Sequence, residues 1–161
     1  MKRIFIDGLS GMAQGLFATL IIGTIIQQIG MFVGGNYGDL IYLIGKVAAA
    51  LTGAGIGVGE ARKLEAQQLV TVCAAVVGMI GAFAGKILAG QVLVDGNIVL
   101  VGPGEPLGAF VAAYVAIEIG ILVTGRTKLD IILTPLICIG VGAVVGLFVG
   151  PPISSFMNWL G

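Results

Sequence analysis

Residues 1–33 read MKRIFIDGLSGMAQGLFATLIIGTIIQQIGMFV. Two cations, Lys2 and Arg3, open the stretch, Asp7 interrupts its start, and no charged residue follows as far as Val33. The opening has the look of a secretory n-region. A secretory signal, however, has an apolar core of about 7–15 residues and then a small-residue cleavage site. Here the apolar run continues for more than twenty residues. About 20 are enough to cross roughly 30 Å of hydrocarbon. The spacing predicts a retained transmembrane helix over residues 4–33, long enough to tilt.

Four more apolar runs follow, at 40–59, 69–89, 107–124 and 131–149. Gly and Pro inside them do not argue against helix, because lipid forces a backbone to satisfy its own hydrogen bonds. The expected fold class is an all-α integral membrane protein of about five spans, forming a single transmembrane domain over 1–161. Residues 90–106 form an external link, and 151–161 an amphipathic tail with Trp159 suited to the interface. Composition agrees. Hydrophobic residues make up 58% and charged residues 10% of the 161 positions, and the mean hydropathy is +1.13. A soluble domain is about 25% charged, so these few charges cannot cover a soluble surface. That excludes a soluble enzyme and a disordered tail. A net charge of zero provides no field for phosphates, which excludes a nucleic-acid partner. The chain has no His, the commonest general base and metal ligand. Cys73 and Cys138 lie inside apolar runs, where a thiol behaves as a small hydrophobe. No catalytic residue, metal site or cofactor is expected.

Lys and Arg in the links set the orientation. Lys2 and Arg3 precede the first run, Arg62 and Lys63 sit between the second and third, and Arg126 and Lys128 between the fourth and fifth. The links at 34–39 and 90–106 carry none, and neither does the tail. The N-terminus is expected in the cytoplasm and the C-terminus outside, in a bacterial inner membrane. An odd number of spans is what one half of an inverted-repeat transporter has. No repeat is visible within the chain, so it is expected to act as a homo-oligomer or as half of a longer permease, with membrane lipid around it.

Glycine occupies 28 positions, against a usual share of about 7%. Pairs four apart, such as Gly11/Gly15, Gly53/Gly57, Gly81/Gly85 and Gly142/Gly146, let helix backbones approach closely. Asp7, Ser10, Gln14, Thr24 and Gln28 fall on one heptad series and so near one face. They either bond between helices or line a solute path. Lys46 lies within the second run and can snorkel or take part in a site. Lys86 lies nearer an end, where snorkelling is the simpler reading. Glu118 lies deep in the fourth run with Tyr114 one turn away. An acidic group there is functional by default, and it can pair with Lys46, be protonated or bind solute.

The link at 90–106 holds two further signals. Asp95-Gly96 between β-branched runs marks a hairpin turn that needs positive φ. Gly102-Pro103-Gly104-Glu105-Pro106 forbids regular helix and places Glu105 at the mouth of the fourth span. Broken elements of this kind bind polar solutes in transporters. Thr134-Pro135 suggests a kink in the fifth span.

Several stretches together resemble one family: IDGLSGMA at 6–13, GLFATLIIGTIIQQIG at 15–30, GPGEPLGAF at 102–110, TKLDIILTP at 127–135 and VGPPIS at 149–154. They are similar to bacterial membrane proteins classed with the sugar-permease subunit, enzyme IIC, of the phosphotransferase system. The resemblance covers what is the N-terminal half of that family. It implies an inner-membrane permease of about ten spans that moves a small polar solute, such as a sugar, by alternating access. It also implies that the Gly-x-x-Glu-Pro-like element contributes a substrate-binding Glu, here Glu105, with Gly104 and Pro106 beside it. Glu118, Lys46 and Gln14 complete the expected substrate-binding set. No His or loop Cys is present to accept phosphate, so enzyme activity is not expected. The alternative is a structural or regulatory scaffold that binds partner membrane proteins.

Overall fold

A chain this apolar has to close its backbone hydrogen bonds within itself, and helix is the local way to do so. The computed structural model describes residues 2–161, which are 81% helical with almost no sheet. Helix α1 runs over Arg3–Val33, wound more widely as π-helix at Arg3–Gly8 and Phe17–Ile21. Helix α2 (Gly35–Ala50) and α3 (Thr52–Lys63) meet at Leu51 with a bend of 52°. Then come α4 (Gln68–Ala82), the short α5 (Ala84–Leu88), α6 (Pro106–Val123) and α7 (Asp130–Leu160). Strands β1 (Leu93–Val94) and β2 (Asn97–Ile98) pair antiparallel. Asp95 and Gly96 both have positive φ, 51° and 79°, the turn expected from that dipeptide.

The spans differ in detail from the hydropathy reading. Helices α1, α6 and α7 are each long and apolar enough to cross a membrane, and the bent pair α2–α3 makes a fourth. Helix α4 is apolar but shorter, so the helices support three to four crossings rather than a count of five. The run at 40–59 is broken at Leu51. The run at 69–89 stops at Ala82, where Phe83 (φ −110°, ψ 11°) leaves helical geometry. The tail at 151–161 is not a separate element. Helix α7 continues through Pro135, Pro151 and Pro152 to Leu160, since each proline removes a single backbone bond and the rest of the ladder holds.

The helices form a body and an arm. In the body, the first half of α1 packs on α3, α3 on α4 and α6, and α4 on α6 and α7. Helix α3 is the suture. Gly55 and Gly59 meet Gly15 and Gly11 of α1, while Gly53 and Gly57 meet Gly78 and Ala74 of α4. The two pairs are offset by two residues, about 200° around a helix, so α3 offers close-packing ridges on nearly opposite faces. A methyl group at Gly11 would fall 2.5 Å from the Gly59 carbonyl oxygen. In the arm, Ile22–Val33 of α1 packs on α2 through Gly23, Gly30, Gly38 and Gly45. Helix α2 reaches the body only where it joins α3.

Candidate functional site

The loop before α6 is shaped by its glycines and prolines. Gly102 and Gly104 have φ of 84° and 74°, which L-side chains rarely adopt. Pro106 opens α6, and the residue before a proline is biased to extended backbone; Glu105 has φ −95° and ψ 110°. The Glu105 N–H then donates to the Ala82 carbonyl at 2.7 Å, clipping the loop onto the end of α4. Gly104 passes so close to that turn that a methyl group would lie 2.7 Å from the same carbonyl oxygen.

This clip forms one wall of a cavity of about 440 Å³, lined also by Lys86, Gln91, Ser154 and Asn158. Ser154 and Asn158 reach it because α7 does not stop at its prolines, and their spacing of four puts both on one face. The Lys86 ammonium donates to the Val101 carbonyl at 3.0 Å and lies 5.5 Å from the centre of the Phe83 ring. Among the described residues, the Glu105 carboxylate has neither a hydrogen bond nor an ion pair. It is a half-buried acceptor at a helix N-terminus, where negative charge is favoured. Hydroxyl groups are its natural donors. Around it stand two amides, a hydroxyl and an ammonium.

The opposite end of the body is organised differently. Arg3 Nε donates to Glu118 Oε1 at 3.0 Å, and Arg3 Nη2 to the Leu64 carbonyl at 3.4 Å. The pair is partly exposed, 50% and 35% by side chain, so it contributes at most about 1 kcal/mol. Lys2, Arg3, Asp7, Lys63 and Glu65 line a polar mouth of about 430 Å³ beside it. Next to this mouth Glu60 is completely buried, and neither carboxyl oxygen has a partner among the described residues. Asp130, just ahead of the apolar run that begins at Ile131, accepts from the Thr134 hydroxyl (2.6 Å), the Gly125 N–H (2.9 Å) and the Thr124 hydroxyl (3.2 Å). The bond from Thr134, then that from Gly125, holds its carboxyl below the usual carboxylate range.

Of the six expected site residues, Gly104 and Glu105 line the cavity beside Lys86, and Pro106 follows them as the first residue of α6. The other three are dispersed. Glu118 is paired with Arg3 rather than Lys46. Lys46 is exposed on the arm, 5.7 Å from the Tyr42 ring centre. Gln14 lines an open side cleft with Thr19, Leu51, Gly55 and Arg62. The wide π turn at Phe17–Ile21 changes the helical phase between Asp7, Ser10 and Gln14 before it and Thr24 and Gln28 after it. The sequence patterns do not single out Gln91, Ser154 and Asn158, and they make Lys86 a snorkelling residue. Extending the helix through Pro151-Pro152 would have exposed the Ser154/Asn158 spacing.

A family model described as "Phosphotransferase system, EIIC" matches residues 6–161. The chain belongs to the phosphotransferase-system EIIC family. No curated protein and no solved structure matches it. EIIC is the transporter part of that system and is not catalytic by itself, and membership makes this a multi-pass membrane protein of sugar-permease type. The EIIC match contains every residue of the cavity around Glu105 and, at the opposite end, Glu60, Tyr114 and Glu118, while Arg3 lies ahead of it.

Proposed function

We propose that this EIIC chain receives a small neutral polyhydroxylated solute, a sugar, in the cavity around Glu105 and passes it through the membrane by alternating access. The observation that carries this reading is the unpartnered Glu105 carboxylate, backbone-clipped to Ala82 and surrounded by Lys86, Gln91, Ser154 and Asn158. A carboxylate accepts two hydroxyl hydrogen bonds, and amides supply both donors and acceptors. Because Lys86 already bonds a carbonyl, Glu105 keeps its acceptor capacity for a ligand.

The cavity end faces outward in this reading and the Arg3 end inward, in a bacterial inner membrane, because Lys and Arg outside the apolar runs cluster at the Arg3 end. Helix α4, with α5, serves as a fifth crossing. A second set of helices, from another copy or from a second permease half, completes the path. The arm at 22–50, which touches the body only at its root, supports such a complement.

Purified protein in liposomes should take up one or more members of a sugar panel, and Glu105→Gln should reduce the uptake. Unchanged uptake in that variant would remove Glu105 from the site. Absence of uptake, with a stable complex to another membrane protein, would favour a scaffold.

A further inference from the structure

We propose that the cleft between α1 and α3 holds one anionic phospholipid, its phosphate on Arg62 and one acyl chain laid along the groove toward Leu51. The proposal does not depend on the solute cavity. It starts from the sequence of α3. Leu51, Ala54, Val58 and Arg62 recur every three or four residues and so share one face of the helix. That face is neither the Gly53/Gly57 ridge on α4 nor the buried side that carries Ile56 and Glu60. Opposite it, α1 contributes Gln14, Ala18 and Thr19, and the cleft between them has a volume of about 560 Å³.

Length, floor and charge select the occupant. Leu51 and Arg62 lie about 16 Å apart along the helix axis at 1.5 Å per residue. That is roughly half the thickness of the hydrocarbon layer, so the groove is as long as one leaflet is deep. It ends where the chain bends by 52° at Leu51, which suits a lipid chain better than a membrane-spanning partner helix. The floor is backbone, because Gly15 meets Gly55 there. Thr19 donates its hydroxyl to the Gly15 carbonyl at 2.8 Å, and its methyl carbon is the side-chain atom nearest to Gly55. The deep part therefore offers a lipid chain no free donor. Among the lining residues Arg62 alone carries a charge. Among the described residues it has no ion pair and no side-chain hydrogen bond, whereas Arg3 at the same end is held by Glu118. A guanidinium grips a phosphate through two parallel N–H bonds, and basic pockets between membrane helices take anionic headgroups. Lys2 and Lys63 at the adjacent polar mouth add to the positive field. Gly11 meets Gly59 and Gly15 meets Gly55, so Gln14 stands between Arg62 and the apolar end. Its amide can donate there to a glycerol ester carbonyl.

Native mass spectrometry tests this on the purified chain in detergent, supplied with equal amounts of phosphatidylglycerol and phosphatidylcholine of the same acyl chains. Wild type should retain one phosphatidylglycerol in preference. Arg62→Gln removes the charged donor and should reduce that retention about tenfold. Arg126→Gln is the control. It removes an exposed arginine at the same end of the body, where Thr124 bonds Gln67, and should leave retention unchanged. Ala18→Phe fills the groove with Arg62 in place and should lower retention of both lipids. Residues 18 and 62 are exposed, so neither change enters the packed core, and the comparison of Arg62→Gln with Arg126→Gln decides alone if Ala18→Phe misfolds. Equal retention of the two lipids by wild type overturns the proposal, as do equal losses in Arg62→Gln and Arg126→Gln. So does a two-chain species that Ala18→Phe dissociates, since the cleft would then belong to a second copy.

Discussion

The two ends of the helical body use the same side-chain chemistry to opposite effect. At the Arg3 end, one carboxylate is paired (Glu118), one is sealed among helices (Glu60) and one is hydrogen-bonded at a helix start (Asp130). At the Glu105 end, the cation Lys86 bonds a backbone carbonyl instead of the carboxylate, and Glu105 faces a cavity with its acceptors free. Where a cation goes to a carboxylate, the pair closes a structure. Where it goes to the backbone, the carboxylate is left for a ligand. In the function proposed above, the first end serves the fold and the second serves recognition.

Five substitutions and one control test that division, and the strongest removes both ends together. Gly57→Leu would drive a side chain into the Ala74 backbone where α3 crosses α4. Overpacking costs about 1–3 kcal/mol even where side chains can yield, so a loss of about 3 kcal/mol or more is expected here in thermal unfolding. Gly140→Leu is the control, because its added carbon meets nothing within 4 Å. Next comes Glu105→Gln. Exchanging a charged acceptor for a neutral one should weaken sugar binding about tenfold, roughly 1.4 kcal/mol, and leave the unfolding temperature in place. Glu118→Gln should leave binding as it was, which equilibrium binding to detergent-solubilised protein would show. Arg3→Ala should lower stability by no more than about 1 kcal/mol, given the exposure of its pair with Glu118, without touching the outer cavity. The smallest effect belongs to Asp130→Asn. Hydrogen bonds favour the ionised carboxylate there, so its stabilisation is present above the ordinary Asp range and lost as pH falls through the lowered value. Wild type and variant should differ slightly at neutral pH and converge in acid.

Much of this fold was legible in the residues, and the parts that were not share a cause. The helical class, the Asp95-Gly96 turn and the non-helical stretch before Pro106 all follow from local chemistry. Hydropathy could not show the break at Leu51, where no proline or glycine stands. The bend arises where α2, held on one side by α1, gives way to α3, which is sutured on two. Nor could it show that α7 continues past Pro151-Pro152, since prolines that end helices in water are tolerated in an apolar helix. The site divides along the same line. The backbone geometry around Glu105 follows from its glycines and prolines. The partner of Glu118 lies 115 positions away, beyond any local pattern. Glu60 was hidden for the opposite reason. Next to Arg62, Lys63 and Glu65 it reads as part of a polar link, and only the packing of the helices places it inside.

The most direct test of the outward solute cavity is chemical access to its lining. Both native cysteines are buried, so Gln91→Cys supplies one reactive thiol at the cavity. In sealed, oriented vesicles a membrane-impermeant maleimide should label it from the outer side, a transported sugar should slow that labelling, and Glu105→Gln should weaken the protection. Labelling from the cytoplasmic side alone, or a rate that no sugar in a broad panel changes, would contradict the account.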